Sequence, residues 1–158
     1  MRLTVKQKLD TTELNKLIKT AKEKYKVKVG VIGKQASEKV DGLTVAQYGL
    51  YNELGSVLKN IPQRSFIISP ITLNLQDNIL KNKEKYSKFL LVEKDLKKSY
   101  NLLGIDAKSI ILNAFATSNN GKWSANSPTT IKKKGSSKPL IDTGRLRKSI
   151  NYKVIDND

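Results

Sequence analysis

The apolar positions change period along the chain, and the period assigns the elements. Leu3, Val5 and Gln7 alternate with Thr4, Lys6 and Lys8, the two-residue repeat of a short strand. Asp10 and Glu13 then have the spacing of a capping box, and Leu14, Leu17, Ile18, Ala21 and Tyr25 fall on one helical face. A helix is predicted over 11–25. Val27, Val29 and Val31 alternate with Lys26, Lys28 and Gly30, a half-buried strand that ends at Gly33. Residues 34–42 are polar and without a period, and read as a flexible loop.

Thr44 with Gln47 repeats the capping-box spacing, and Ala46, Leu50 and Leu54 form the apolar face of the helix it opens. Gly55 fits a left-handed closing position. Pro62 breaks the chain ahead of a short strand over 64–69 centred on Phe66, Ile67 and Ile68. Ser69-Pro70 reads as a helix start, since proline at the first helical position gives up a hydrogen bond that would be missing anyway. Ile71, Leu75, Ile79, Tyr86 and Leu90 follow at helical spacing. A second periodic run holds Val92, Leu96, Tyr100, Leu103, Ala107, Ile110, Ile111 and Ala114, with Gly104 as a point of bending or splitting.

Residues 117–126, rich in serine, asparagine and glycine, form a second flexible loop whose only bulky side chain is Trp123. Ser127-Pro128 starts a short helix ended by Gly135 after three lysines, and 136–139 form a linker. Asp142-Thr143-Gly144 makes a tight turn whose side chains are placed to cap a helix over 145–150. Tyr152 and Val154 alternate as a last strand. Short strands mixed with longer helices predict an α+β fold in one domain over 1–158, a small, mainly antiparallel sheet packed against long central helices.

Composition narrows the chemistry. The chain has neither cysteine nor histidine, which removes disulfides, thiol nucleophiles, the usual zinc ligands and the commonest general base. Gly121-Lys122 ends like a phosphate-binding loop, but Trp123 stands where serine or threonine is needed, and no glycine lies five residues before Gly121. Gly30-Val31-Ile32-Gly33 lacks the third glycine and the following helix of a dinucleotide site. No enzyme activity and no cofactor or metal are expected. No apolar run approaches the roughly 20 residues of a membrane span, and the N-terminus lacks a secretory core.

The formal charge is +16, which favours polyanionic partners. Its quality tempers that reading. Arginine occurs only at Arg2, Arg64, Arg145 and Arg147, leaving 26 of the 30 basic residues as lysine. Dispersed lysine gives solubility and loose attraction rather than bidentate recognition, and AT-rich coding enriches it with no functional meaning. Lys132-Lys133-Lys134 and Arg145-Leu146-Arg147-Lys148 read as solvated helix faces before they read as nucleic-acid patches. Trp123 either stacks on a base or, more commonly for a lone aromatic, anchors its loop to the core.

Three blocks carry a family resemblance, in a fixed order. The first is Ala46-Gln47-Tyr48-Gly49-Leu50-Tyr51-Asn52-Glu53-Leu54-Gly55-Ser56, and the second is Ile61-Pro62-Gln63-Arg64-Ser65-Phe66-Ile67. The third runs from Trp123-Ser124-Ala125-Asn126-Ser127-Pro128 through Lys132-Lys133-Lys134-Gly135 to Lys138-Pro139-Leu140-Ile141-Asp142-Thr143-Gly144-Arg145-Leu146-Arg147-Lys148-Ser149-Ile150. Together they resemble the tailed-phage virion-morphogenesis proteins, the tail-completion and head–tail joining group. The second block is similar to that family's Ile-Pro-x-Arg-Pro-Phe element, with Ser65 in place of its frequent proline. The resemblance covers roughly residues 27–154.

The resemblance implies a structural role: docking on the connector or the end of the tail tube, and self-association there into a ring, expected to be sixfold, around the DNA channel. It implies location in the virion neck, with the host cytoplasm as the place of assembly, and no membrane. The motif positions become candidate structural or interface residues: Asn52, Glu53, Gly55, Pro62, Arg64, Phe66, Trp123, Lys132, Lys133, Lys134, Asp142, Thr143, Gly144, Arg145 and Leu146. Two rival functions stand beside it. One is a nonspecific basic DNA-binding protein; the other is a hydrolase of phage entry or release, for which no pair of carboxylates can be nominated.

Overall fold

A computed structural model describes Lys19 and residues 25–156. The predicted strand over 3–8 and most of the predicted helix over 11–25 lie outside the described residues. Tyr25 itself opens a strand instead of closing a helix, because its ring packs on Tyr100 at 5.6 Å and its backbone pairs with Asp156.

In chain order, strand β1 is Tyr25–Val31, followed by a 3-10 turn at Lys34–Ser37 and the short strands β2, Lys39–Val40, and β3, Leu43–Thr44. Helix α1 is Val45–Leu54, α2 is Ile68–Lys81 and α3 is Lys83–Ser87, which widens into a π-helical turn at Lys88–Val92. Helix α4 is Leu96–Thr117, α5 is Pro128–Lys134, α6 is Arg145–Lys148, and strand β4 is Ile150–Asp156. The fold is α+β, with two small antiparallel sheets of short strands against long helices.

Strands β1 and β4 pair antiparallel, with Val27 opposite Val154, Val29 opposite Tyr152 and Val31 opposite Ile150. Their apolar faces lie on α4, the 22-residue spine of the molecule, and α2 packs along the same spine. The core gathers Val45, Phe66, Ile111, Phe115, Trp123, Leu140, Leu146 and Ile150. Phe66, Phe115 and Trp123 form a chain of rings with centroids 5.3 and 5.7 Å apart, the second pair edge to face.

Several local expectations change. The predicted loop over 34–42 holds a turn and a hairpin: Asp41 and Gly42 both take positive φ, the two-residue connection that matches strand twist. The expected apolar face of α1 is the wrong one. Val45, Gly49, Asn52 and Glu53 are buried, whereas Ala46, Leu50 and Leu54 are exposed. Gly49 allows this, since a Cβ there would meet Leu146 at 3.1 Å and Val31 at 3.3 Å.

The expected strand over 64–69 is irregular, because the amides of Phe66, Ile67 and Ile68 bond to Glu53 and have none left for a ladder. Helix α2 starts at Ile68, so Pro70 is its third residue, still within the turn whose amides lack intrahelical partners. Gly104 does not split α4, which runs unbroken through it; it makes room for Tyr152, whose ring carbon would lie 2.1 Å from an added Cβ. Helix α6 stops at Lys148 instead of 150, since Ile150 already pairs with Val31 in the sheet, and neither Asp142 nor Thr143 caps it.

Candidate functional site

Two of the three sequence blocks meet at the carboxylate of Glu53. The capping box at Thr44, whose hydroxyl accepts from Gln47 N at 3.2 Å while Gln47 Oε1 accepts from Thr44 N at 2.9 Å, sets the start of α1. One face later the helix delivers Glu53 into the interior, where it is only 6% exposed. Oε1 accepts from Ser65 Oγ at 2.6 Å and from Ile68 N at 3.0 Å. Oε2 accepts from Phe66 N at 2.7 Å and Ile67 N at 2.9 Å. Ile67, the residue ahead of α2, has no capping side chain, so Glu53 supplies the cap from another helix and sets a negative charge at the positive end of α2.

Four donors fill the four lone-pair positions of the carboxylate, so Glu53 is a structural clamp without an acceptor left for a substrate proton. Gly55 ends the block with φ 77° and ψ 168°, a region open only to glycine. The expected left-handed closing geometry is not adopted, and a Cβ at this position would lie 3.0 Å from Gln63 N.

Arg64 ties in the third block. Its Nε donates to the Ser124 carbonyl at 2.8 Å and its Nη2 to the Ala125 carbonyl at 2.9 Å, while its own amide donates to the Asn52 carbonyl at 2.7 Å. Asn52, also buried, donates Nδ2 to the Tyr48 carbonyl. Trp123 closes the knot by donating Nε1 to the Ser65 carbonyl at 3.0 Å. The indole is therefore a loop anchor in the core and not a stacking platform.

The comparisons with known proteins are silent. No protein-family model, curated protein or solved structure matches the chain.

Beside the knot lies an open groove of about 870 Å³, walled by the end of α1, the turn after it, residues 61–64, residues 125–127 and the half-buried edge of α5. Arg64 is on its floor, Lys134 on its side, and Pro62, Leu54 and Val57 on its rim. Burial lowers the Arg64 guanidinium from its ordinary value, opposed by Tyr48. Burial likewise lowers the Lys134 ammonium, with Asp142 pulling it up and Arg64 pushing it further down.

The structure thus brings together Asn52, Glu53, Gly55, Pro62, Arg64, Phe66, Trp123 and Lys134. Lys132 and Lys133 point to solvent on the other side of α5, and Asp142, Thr143 and Arg145 are exposed outside the groove lining. Gly144, at φ 76°, lines a separate depression with Lys108, Arg147 and Lys148, and Leu146 is core. Sequence reasoning missed Ser65, Asn126 and the turn at 57–60. Asn126 donates Nδ2 to the carbonyls of Ser137 and Lys138, and so holds the linker against the groove. Among the described residues no helix is long and apolar enough to cross a membrane.

Proposed function

We propose that this chain is a structural virion-assembly protein that completes the tail or joins head and tail at the neck of a phage or prophage. In this reading it resides in the virion as a ring around the DNA channel, against connector and tail-tube proteins, and it needs no cofactor. The observation that carries the reading is the convergence of the three resemblance blocks on one hydrogen-bonded knot: Glu53 on residues 65–68, Arg64 on residues 124–125, and Trp123 on Ser65. Residues far apart in the chain that share one structural task fit a motif kept for shape. The apolar positions left exposed beside the knot, Leu50, Leu54, Val57 and Leu58, supply surface of the kind an assembly interface covers.

The test is deletion of the gene from the phage or prophage that encodes it, followed by electron microscopy of the particles. Separate heads and tails, or tails of aberrant length, are expected; normally joined, infectious particles would refute the proposal. A second reading, nonspecific DNA binding, is favoured by one detail of register. Lys28 lies directly opposite Lys153 on the outer sheet face, an opposition that costs a few tenths of a kcal/mol unless an anion relieves it. Affinity for duplex DNA that falls by orders of magnitude over a modest salt increase would support this reading, and salt-insensitive or absent binding would exclude it.

A further inference from the structure

The groove beside the knot carries two cations and no anion. Its lining contains Arg64 and Lys134 but neither aspartate nor glutamate, and Asp142, whose charge acts on Lys134, lies outside the lining. Arg64 is 8% exposed, and its side-chain bonds go to two neutral carbonyls. No carboxylate forms a salt bridge with it among the described residues. A buried guanidinium without a counter-charge is expensive, because its Coulomb partner is missing while its hydration is largely lost. Lys134 adds a second positive charge, and among the described residues its ammonium hydrogen-bonds only to the Lys138 carbonyl, at 3.3 Å.

The rim is apolar. Leu54 is 58% exposed and Val57 98% exposed, and Pro62, Ile61 and Leu140 continue the wall. A phosphate backbone is a poor match for such a wall, since nucleic-acid grooves space many cations along a track and add stacking rings. Tyr48 is the one aromatic in the lining.

We propose that this groove is the docking site for an acidic, aliphatic segment of a partner protein, with a carboxylate seated between Arg64 and Lys134 and a neighbouring aliphatic side chain on Leu54 and Val57. A carboxylate meets the unused edge of the guanidinium in a charge-assisted bond, and the apolar rim excludes water around it. The inference does not depend on the virion reading: normally joined deletion particles would refute that reading and leave this binding in place.

The probe is an acetylated hexapeptide alternating leucine and glutamate, titrated into the isotopically labelled full chain by NMR, beside the same peptide with glutamine for glutamate. The Arg64 guanidinium Nη–H signals are expected to shift with the first peptide, and the second to bind at least tenfold more weakly. Lys134→Glu is expected to weaken the first peptide at least tenfold, whereas Lys133→Glu, the same charge change one residue away on the solvent side, changes it less than threefold. Should Lys134→Glu fail to fold, the Arg64 signal of the unaltered protein still decides. Equal binding of both peptides, equal loss in the two variants, or an Arg64 signal that does not move would overturn the proposal. So would a ten-thymidine oligonucleotide that displaces the peptide from Arg64, since the groove would then be a phosphate site.

Discussion

A single carboxylate ties helix α1 to residues 65–68 at the residue scale, and its energetics are open to direct test. Removing Glu53 leaves the amides of Phe66, Ile67 and Ile68 and the Ser65 hydroxyl without their acceptor in a largely dry site. Glu53→Ala is expected to destabilise the fold by on the order of 3–5 kcal/mol in chemical denaturation, and Glu53→Gln by less, since one carboxamide oxygen still accepts. A loss under about 1 kcal/mol for the alanine variant would show that water replaces the carboxylate. Gly144 offers a cleaner backbone test: its φ is 76° and an added Cβ would meet nothing within 4 Å. Gly144→Val is therefore expected to cost about 1–3 kcal/mol from the backbone alone, and Gly144→Asn clearly less. Equal melting temperatures for wild type and the valine variant would remove the strain argument.

What sequence reading misses at this scale has a common cause. Glu53 and Arg64 stand out as motif members, but nothing local says that a charged residue on α1 turns inward, because its partners lie 12–15 residues downstream. Periodicity assigns charge to solvent, and the assignment fails where hydrogen bonds satisfy every lone pair.

Elements with a local cause are legible, and those with a remote cause are not. The alternation of Val27, Val29 and Val31, the Thr44–Gln47 box and the Ser127-Pro128 start all match the structure, since each draws its stability from neighbours in sequence. Asp41-Gly42 was an equally local hairpin signal hidden by its polar surroundings. The break after Lys81 had no such sign, because the apolar period continues through it. What fixes that segment is tertiary: the Tyr86 hydroxyl donates to Asp106 Oδ2 at 2.8 Å, and Ser99 Oγ donates to the Tyr86 carbonyl at 3.4 Å. Burial, then the bond to Asp106 and its charge, raises the Tyr86 phenol above its ordinary value. A raised folded value means the neutral phenol is favoured in the fold, so its contribution is complete below the unfolded value near pH 10 and is lost as pH rises beyond it. Stability is thus expected to fall above about pH 10, with Tyr86→Phe flattening that limb; an identical alkaline profile in the two proteins would show that the contact does not hold the segment.

Two opposed features govern the behaviour of the whole molecule. The +16 charge pushes copies apart, while Leu50, Leu54, Val57 and Leu58, respectively 57, 58, 98 and 100% exposed, offer an apolar strip along α1 and the turn that follows. Coulomb repulsion between copies reaches about 10 Å at 0.1 M salt and about 3 Å at 1 M, so at low ionic strength it acts before the strips can touch. Sulfate both screens that repulsion and strengthens burial of apolar surface. The free protein is therefore expected to scatter as a monomer in dilute buffer and to gain mass as ammonium sulfate is raised toward roughly 0.5 M. Leu54→Lys with Val57→Lys, two exposed substitutions that leave the core untouched, is expected to abolish the gain. The sign separates this from nucleic-acid binding, which the same salt weakens. A mass that stays monomeric throughout, or a gain that survives the double variant, would mean that the strip is not what copies of this chain bury.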